Sequence, residues 1–103
     1  MFETNQKLAS GVSIIVPCYN EEGAVAETVE SIATVLDQVD KSESSFEAEM
    51  IFVNDGSHDR TLEILRELGK KYPRLRVLDN GLNCGYGASL KRGISQAKFD
   101  KIV

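Results

Sequence analysis

Met50-Ile51-Phe52-Val53-Asn54-Asp55-Gly56-Ser57-His58-Asp59-Arg60-Thr61-Leu62 is the stretch on which the fold turns. An apolar run stops at Val53, and an amphipathic pattern opens at Leu62. A carboxylate, a glycine and a hydroxyl are packed between them, where a strand ends and a helix starts. In open α/β sheets ligands bind in the crevice at the carboxyl ends of the strands. Asp55 only accepts hydrogen bonds, and free helical N–H donors lie just beyond it. Such a junction can take an N–H group at one end and an anion at the other.

The same alternation extends on both sides. Val12 to Val16 is β-branched and almost continuously apolar, as a strand buried on both faces should be, and Pro17 is expected to end it. Val25, Val29, Ile32, Ala33 and Leu36 then recur at helical spacing. Asn20 reads as the N-cap of that helix, with Glu21 and Glu22 in its first turn. The helix is expected to run out near Val39, before a polar and mobile loop from Asp40 to Ser45. A second strand spans about Glu47 to Val53. A second helix starts near Ser57 or Asp59, buries Leu62, Leu65 and Leu68, and stops before Pro73. Leu75 to Leu78 reads as a third strand, Asp79-Asn80-Gly81 as a turn, Tyr86 to Ala97 as a third helix and Lys101 to Val103 as a fourth strand. This βαβαβαβ order predicts an α/β fold with a mostly parallel sheet and helices on both faces.

Composition narrows the partners. The 103 residues carry twelve basic and sixteen acidic side chains, a net charge of -4, with no Lys/Arg run. That excludes nucleic acid as the main partner, because such binding neutralises phosphates with a basic surface. No apolar stretch approaches the ~20 residues needed to cross a bilayer. Residues 1–10 lack the apolar core of a signal peptide and read as a mobile polar lead-in, leaving 11–103 as one domain. Cys18 and Cys84 are far apart and His58 is the one histidine, so no zinc-site spacing exists. Two free thiols in a reducing, cytoplasmic setting is the expectation; a disulfide is the alternative, since both follow expected strands.

Polar groups gather after each of the first three strands. At Pro17-Cys18-Tyr19-Asn20-Glu21-Glu22, Pro17 turns the chain out of the sheet. Tyr19 offers an aromatic face for a base or a hydroxyl for a phosphate, and Glu21 can accept from ribose hydroxyls. A purely local account has Asn20 as cap and Tyr19 packed on a neighbouring loop. At Asn54 to Asp59, Ser57 and Asp59 are natural caps and His58 an exposed bystander. Asp55 is less well explained that way and suits the imide N–H of a base. At Asn83-Cys84-Gly85-Tyr86-Gly87-Ala88-Ser89-Leu90-Lys91-Arg92-Gly93, small residues at a helix start allow a ligand close approach and offer N–H groups to an anion. Neither a Walker loop nor the dinucleotide fingerprint is complete there, and close helix–sheet packing accounts for Gly87 and Gly93 equally well.

Together, and in this order, the motifs resemble the N-terminal, nucleotide-binding half of an inverting, A-type-fold glycosyltransferase of family 2. The stretch from Asn83 to Ile94 most resembles the polyprenol- or dolichol-phosphate sugar transferases. The resemblance implies a Rossmann-like, three-layer α/β/α fold with strand order 3-2-1-4, truncated after the fourth strand. It implies a nucleotide-sugar site made of Pro17, Tyr19, Glu21, Asp55, Asn83, Gly85, Gly87 and Lys91. In that family the first three line the base and ribose, the carboxylate at Asp55 bonds the base imide, and the loop at Asn83 to Gly87 closes over the nucleotide. Leu90 departs from the arginine of many relatives, with Lys91 as a neighbouring substitute.

The implied donor is a UDP- or GDP-sugar and the implied acceptor a polyprenyl phosphate. The family's Asp-x-Asp, which holds Mg2+ or Mn2+ on the donor diphosphate, follows the fourth strand, and its catalytic base comes later. This chain is therefore expected to carry donor recognition without catalytic residues, bind no metal itself and be inactive alone. An apolar edge at Ile102-Val103 is expected to drive homo-oligomerisation. The location expected is cytoplasmic, with attachment of the parent protein to a membrane's cytoplasmic face left open. The rival reading is a self-contained, non-catalytic α/β nucleotide-binding or interaction module. A receiver-type domain is set aside, because the first strand ends in Pro17-Cys18-Tyr19 rather than in carboxylates.

Overall fold

A computed structural model describes residues 8–42 and 46–103. The elements run β1 (Leu8–Cys18), α1 (Val25–Ser42), β2 (Ala48–Asn54), α2 (Thr61–Lys71), β3 (Leu75–Asp79), α3 (Tyr86–Gln96) and β4 (Phe99–Ile102). The four strands form one parallel sheet in the order β3-β2-β1-β4. α1 and α2 cover one face and α3 the other. This is the Rossmann-like three-layer arrangement implied by the motifs.

β2 is the centre of the molecule, and its sequence shows why. Met50 and Phe52 point into the α1/α2 layer, where Val25, Val29, Ala33, Leu36 and Leu65 meet them. Ile51 and Val53 point the other way, onto Ile15, Ala97 and Leu90 under α3. Alternation along an apolar run thus fills two cores, which only a strand covered on both faces can do. α3 lies close because Gly93 has no side chain: a β-carbon there would collide with Ile15 Cγ2.

Several boundaries differ from the sequence reading for physical reasons. β1 starts at Leu8, so the last residues of the expected lead-in are strand; residues 1–7 lie outside the described residues. β1 also continues through Pro17, which pairs with Val53, to Cys18, which pairs with Asn54. Donors alternate sides along a strand. Val12 N–H is given to β2's side, at Glu47 O, and Ile15 N–H to Val103 O. The next donor position on the Val103 side falls at Pro17, which has no N–H to give, while its pairing with β2 continues. α1 extends to Ser42, beyond Val39, and positions 43–45 of the expected loop are outside the described residues. No helix among the described residues is long and apolar enough to cross a membrane.

At its amino-terminal end β2 buries a carboxylate that the sequence reading passed over. Glu49 accepts from Ser13 Oγ at 2.7 Å, Lys98 N–H at 2.6 Å and Arg76 Nη1 at 2.8 Å. Arg76 Nη1 also reaches Gln96 O at 2.8 Å. One side chain therefore joins β1, β3 and the α3–β4 junction. Burial pushes the Glu49 carboxyl up, but the Lys98 N–H, Arg76 and Ser13 outweigh it and hold it below its ordinary 4.5. A lowered carboxyl contributes stability that is complete above its unfolded value and lost as pH falls through the folded one. Urea unfolding should therefore show Glu49→Gln losing less stability than the unmutated chain as pH drops below 4.5. At neutral pH, Glu49→Ala should cost roughly 2–3 kcal/mol, because it strands buried donors.

Candidate functional site

The loops after β1 and β2 are stitched together by their polar side chains. Asn20 N–H donates to Ser57 Oγ at 2.9 Å, and Asn20 Oδ1 accepts from His58 N–H at 2.8 Å. Glu21 N–H donates to Thr61 Oγ1 at 2.8 Å. Glu22 Oε1 accepts from Arg60 N–H at 2.9 Å, while Glu22 N–H donates to Asp59 Oδ2 at 3.1 Å. Each loop thus supplies the partners the other lacks within itself.

This corrects the cap assignments. Asn20 does not cap α1. It takes a left-handed backbone, φ 53°, which asparagine tolerates better than most residues. The turn into α1 closes instead on Glu21 O, which accepts from the N–H groups of Ala24 and Val25. Ser57 does not cap α2 either; its hydroxyl donates to Asn54 Oδ1 at 2.6 Å. Asp59 does serve the start of α2, accepting from Thr61 N–H at 2.9 Å and Thr61 Oγ1 at 2.6 Å.

Asp55 organises the third loop. Its N–H donates to Cys18 O at 2.8 Å, holding it against the end of β1. Oδ1 accepts from Cys84 N–H at 2.7 Å and Asn80 Nδ2 at 2.9 Å, and Oδ2 from Gly85 N–H at 2.9 Å. The Cys84 N–H first, then Asn80, Gly85 and Ser89, hold its carboxyl below the usual aspartate range against the desolvation that opposes them. Only 5% of the residue is exposed. Next to it, Gly56 has φ 69°, and a β-carbon there would strike the backbone of Leu82 and Asn83. The glycine is required by loop-on-loop packing as well as by its conformation.

These loops enclose an open cleft of about 410 Å3 lined by Pro17, Cys18, Tyr19, Glu21, Asp55, Asn83, Gly85 and Tyr86. Six of the eight expected site residues therefore converge. Gly87 and Lys91 do not line it. Lys91 is exposed on α3, and Leu90 turns inward onto the core under that helix. Gly87 has open space where a side chain would be, so close packing does not account for it as it does for Gly93.

Tyr19 and Tyr86 present exposed rings to the cleft, at 44% and 70% exposure. Tyr19 meets the His58 ring edge-on, centroids 6.3 Å apart. The cysteines are both free, Cys18 buried and Cys84 exposed. Burial, with Glu21 adding to it, pushes the Cys18 thiol up to about 12, so it stays protonated and is no nucleophile. Among the described residues no group of three or more His, Cys, Asp or Glu side chains could hold a metal ion.

Sequence reasoning missed Tyr86, Asn80 and Ser89. Tyr86 was in plain sight beside Gly85, read only as part of a small-residue run. Asn80 looked like an ordinary turn residue. Ser89 is fully buried, and its helical offset from Gly85 and Gly93 was the available signal.

Residues 13–103 match the family model described as Glycosyl transferase family 2. The chain is 40% identical over 91 residues to the uncharacterized glycosyltransferase YkcC of Bacillus subtilis, covering 88% of this chain and 27% of that protein. It is 34% identical over 92 residues to the dolichyl-phosphate beta-glucosyltransferase ALG5A of Trichomonas vaginalis, covering 89% and 28%. Among solved structures it is similar to S. aureus TarS (residues 1–349), with TM-score 0.70, 28% identity, and coverage of 90% of this chain and 26% of that one. The chain thus spans a little over a quarter of the length of these curated relatives.

The Asp55 network generates a direct structural test. In Asp55→Ala, the amides of Cys84 and Gly85 should lose their hydrogen-exchange protection while those in the middle of α2 keep theirs. Unchanged protection at Cys84 and Gly85 would show that the loop holds its shape without the carboxylate.

Proposed function

Since the chain belongs to glycosyl transferase family 2, we propose that its cleft holds the nucleotide part of a UDP- or GDP-sugar, the donor in sugar transfer by the whole protein. The observation that carries this reading is the cleft's make-up: two exposed aromatic rings, two carboxylates and a helix N-terminus around one volume of about 410 Å3. Volumes of this size suit small-molecule sites. A base stacks on Tyr19, with Tyr86 at the start of α3 lining the same cleft. Uracil and guanine each present an imide N–H to Asp55, and Glu21 accepts from ribose hydroxyls. Asn83 and Gly85 form the loop above. The first-turn N–H groups of α3 have no acceptor within their own helix and favour the diphosphate, with Gly87 leaving room for its approach. Lys91, farther along α3, adds positive charge on that side.

An imide N–H does not find Asp55 empty. A carboxylate has about four acceptor positions, and Asn80, Cys84, Gly85 and Ser89 already address them. The base therefore shares Asp55 with the loop, and binding adjusts residues 83–85.

The acceptor in this reading is a polyprenyl phosphate, in line with the dolichyl-phosphate enzyme among the relatives. The family resemblance implies Mg2+ or Mn2+ on the donor diphosphate. The described residues do not fit that ion, as no acidic cluster stands at the cleft, and no step is derived through it. The sequence contains no Asp-x-Asp. We infer that these 103 residues bind the donor and do not transfer its sugar by themselves.

Calorimetric titration with UDP and GDP tests the reading. One of them should bind, and Tyr19→Ala should weaken it about tenfold or more, the loss of one base stack, while Tyr19→Phe keeps most of the affinity. Failure of both nucleotides to bind, or equal affinity of Tyr19→Ala, would overturn it. Incubation of the 103-residue chain with a UDP- or GDP-sugar, polyprenyl phosphate and Mg2+ should yield no glycosylated lipid; its appearance would place catalysis within this chain.

A further inference from the structure

Asn80 lies between two groups of opposite charge. Its Nδ2 donates to Asp55 Oδ1 at 2.9 Å and to the buried Ser89 Oγ at 2.9 Å. Its Oδ1 accepts from Arg92 Nη1 at 2.7 Å. A carboxylate only accepts and a guanidinium only donates, so the amide between them has one permitted orientation. Turned over, it would set oxygen against carboxylate and NH2 against guanidinium. The backbone of Asn80 is held too, its N–H donating to Asn54 O at 2.9 Å. Arg92 is exposed on α3, and its Nη1 is given to this amide oxygen.

We propose that Arg92 and Asn80 are positioning residues for the binding-site carboxylate: Arg92 locks the Asn80 amide, and the amide holds Asp55 in the rotamer that faces the cleft. Neither side chain lines the cleft, and both act through Asp55. The relay joins α3, the β3–α3 loop and the end of β2, so the orientation of Asp55 depends on the seating of α3. Its effect on ligand affinity rests on the nucleotide reading given above. Tyr19, Glu21, Cys18 and Tyr86 are the titratable groups that share the cleft with Asp55, while the Cys84 thiol is turned to Leu82 O.

The test combines two measurements on Arg92→Ala and Arg92→Lys. Carboxyl carbon NMR follows the Asp55 titration in the absence of ligand, and calorimetry gives the affinity for UDP and GDP. In Arg92→Ala the amide keeps its bonds to Asp55 and Ser89 but loses the donor that holds its oxygen, so it is less firmly fixed. Asp55 should then titrate closer to the ordinary aspartate value, and nucleotide affinity should fall about three- to tenfold. Arg92→Lys retains a donor-only cation and should restore most of both. A helix that merely lost stability would shift the urea midpoint and leave the Asp55 titration in the folded chain unmoved. An unmoved titration overturns the proposal, and so does a moved titration with unaltered affinity. If the unmutated chain binds neither nucleotide, the reading of the cleft fails by itself, and the relay stands or falls on the Asp55 titration alone.

Discussion

The carboxylate of Asp55 is the constraint from which the upper half of the molecule takes its shape. It sits at the end of a fully covered strand, where water is scarce and an unpartnered charge would be costly. The chain answers by bending three separate segments toward it. Cys18 receives its N–H, Asn80 arrives from the end of β3, and the amides of Cys84 and Gly85 close from above. The loop that forms the cleft's far wall is thus held from below, by an acceptor that belongs to the central strand. Gly56 is the complementary steric condition, since any side chain there would push that loop away.

β2 carries a second buried carboxylate at its other end, and the comparison separates structure from site. Glu49 is enclosed by Ser13, Arg76 and the Lys98 N–H, with an arginine to balance its charge. It joins elements that are already neighbours. Asp55 meets no cation directly and opens onto a volume that can take a ligand. Both groups are held below their ordinary values by hydrogen bonds working against burial. What differs is the surroundings: an ion pair encloses Glu49, whereas Asp55 lines the cleft.

Cross-bracing of the first two loops explains why local rules misassigned several residues there. Asn20, Ser57, Glu21 and Glu22 are all good helix-start residues, and the sequence pattern places them where caps belong. In the folded chain their hydrogen bonds go across the cleft's rim to the neighbouring loop instead. Parallel strands bring the two loops side by side, and a partner on another loop competes successfully with one on the same helix. Asp59 keeps the local side-chain role, and Glu21 closes the turn into α1 through its backbone oxygen.

Periodicity and punctuation in the sequence were sufficient for the element order and the parallel sheet. Met50 to Val53 can be buried on both sides only in the middle of covered layers, and Val25, Val29, Ala33 and Leu36 define one helical face without further information. Strand order followed from the family resemblance, and most of the cleft from the rule that ligands sit at the carboxyl ends of strands. The tertiary structure alone decided who satisfies whom. That Asp55 is met by Asn80 and by two backbone amides of the following loop, that Arg92 orients Asn80, and that Lys91 points away while Leu90 turns inward are not local properties. Each depends on the distance and rotation of α3 relative to β2, which Gly93 against Ile15 sets through close packing. Hydrogen-bond partners far apart in sequence leave no periodic trace, because a single donor at the right place satisfies an acceptor whatever the residues around it.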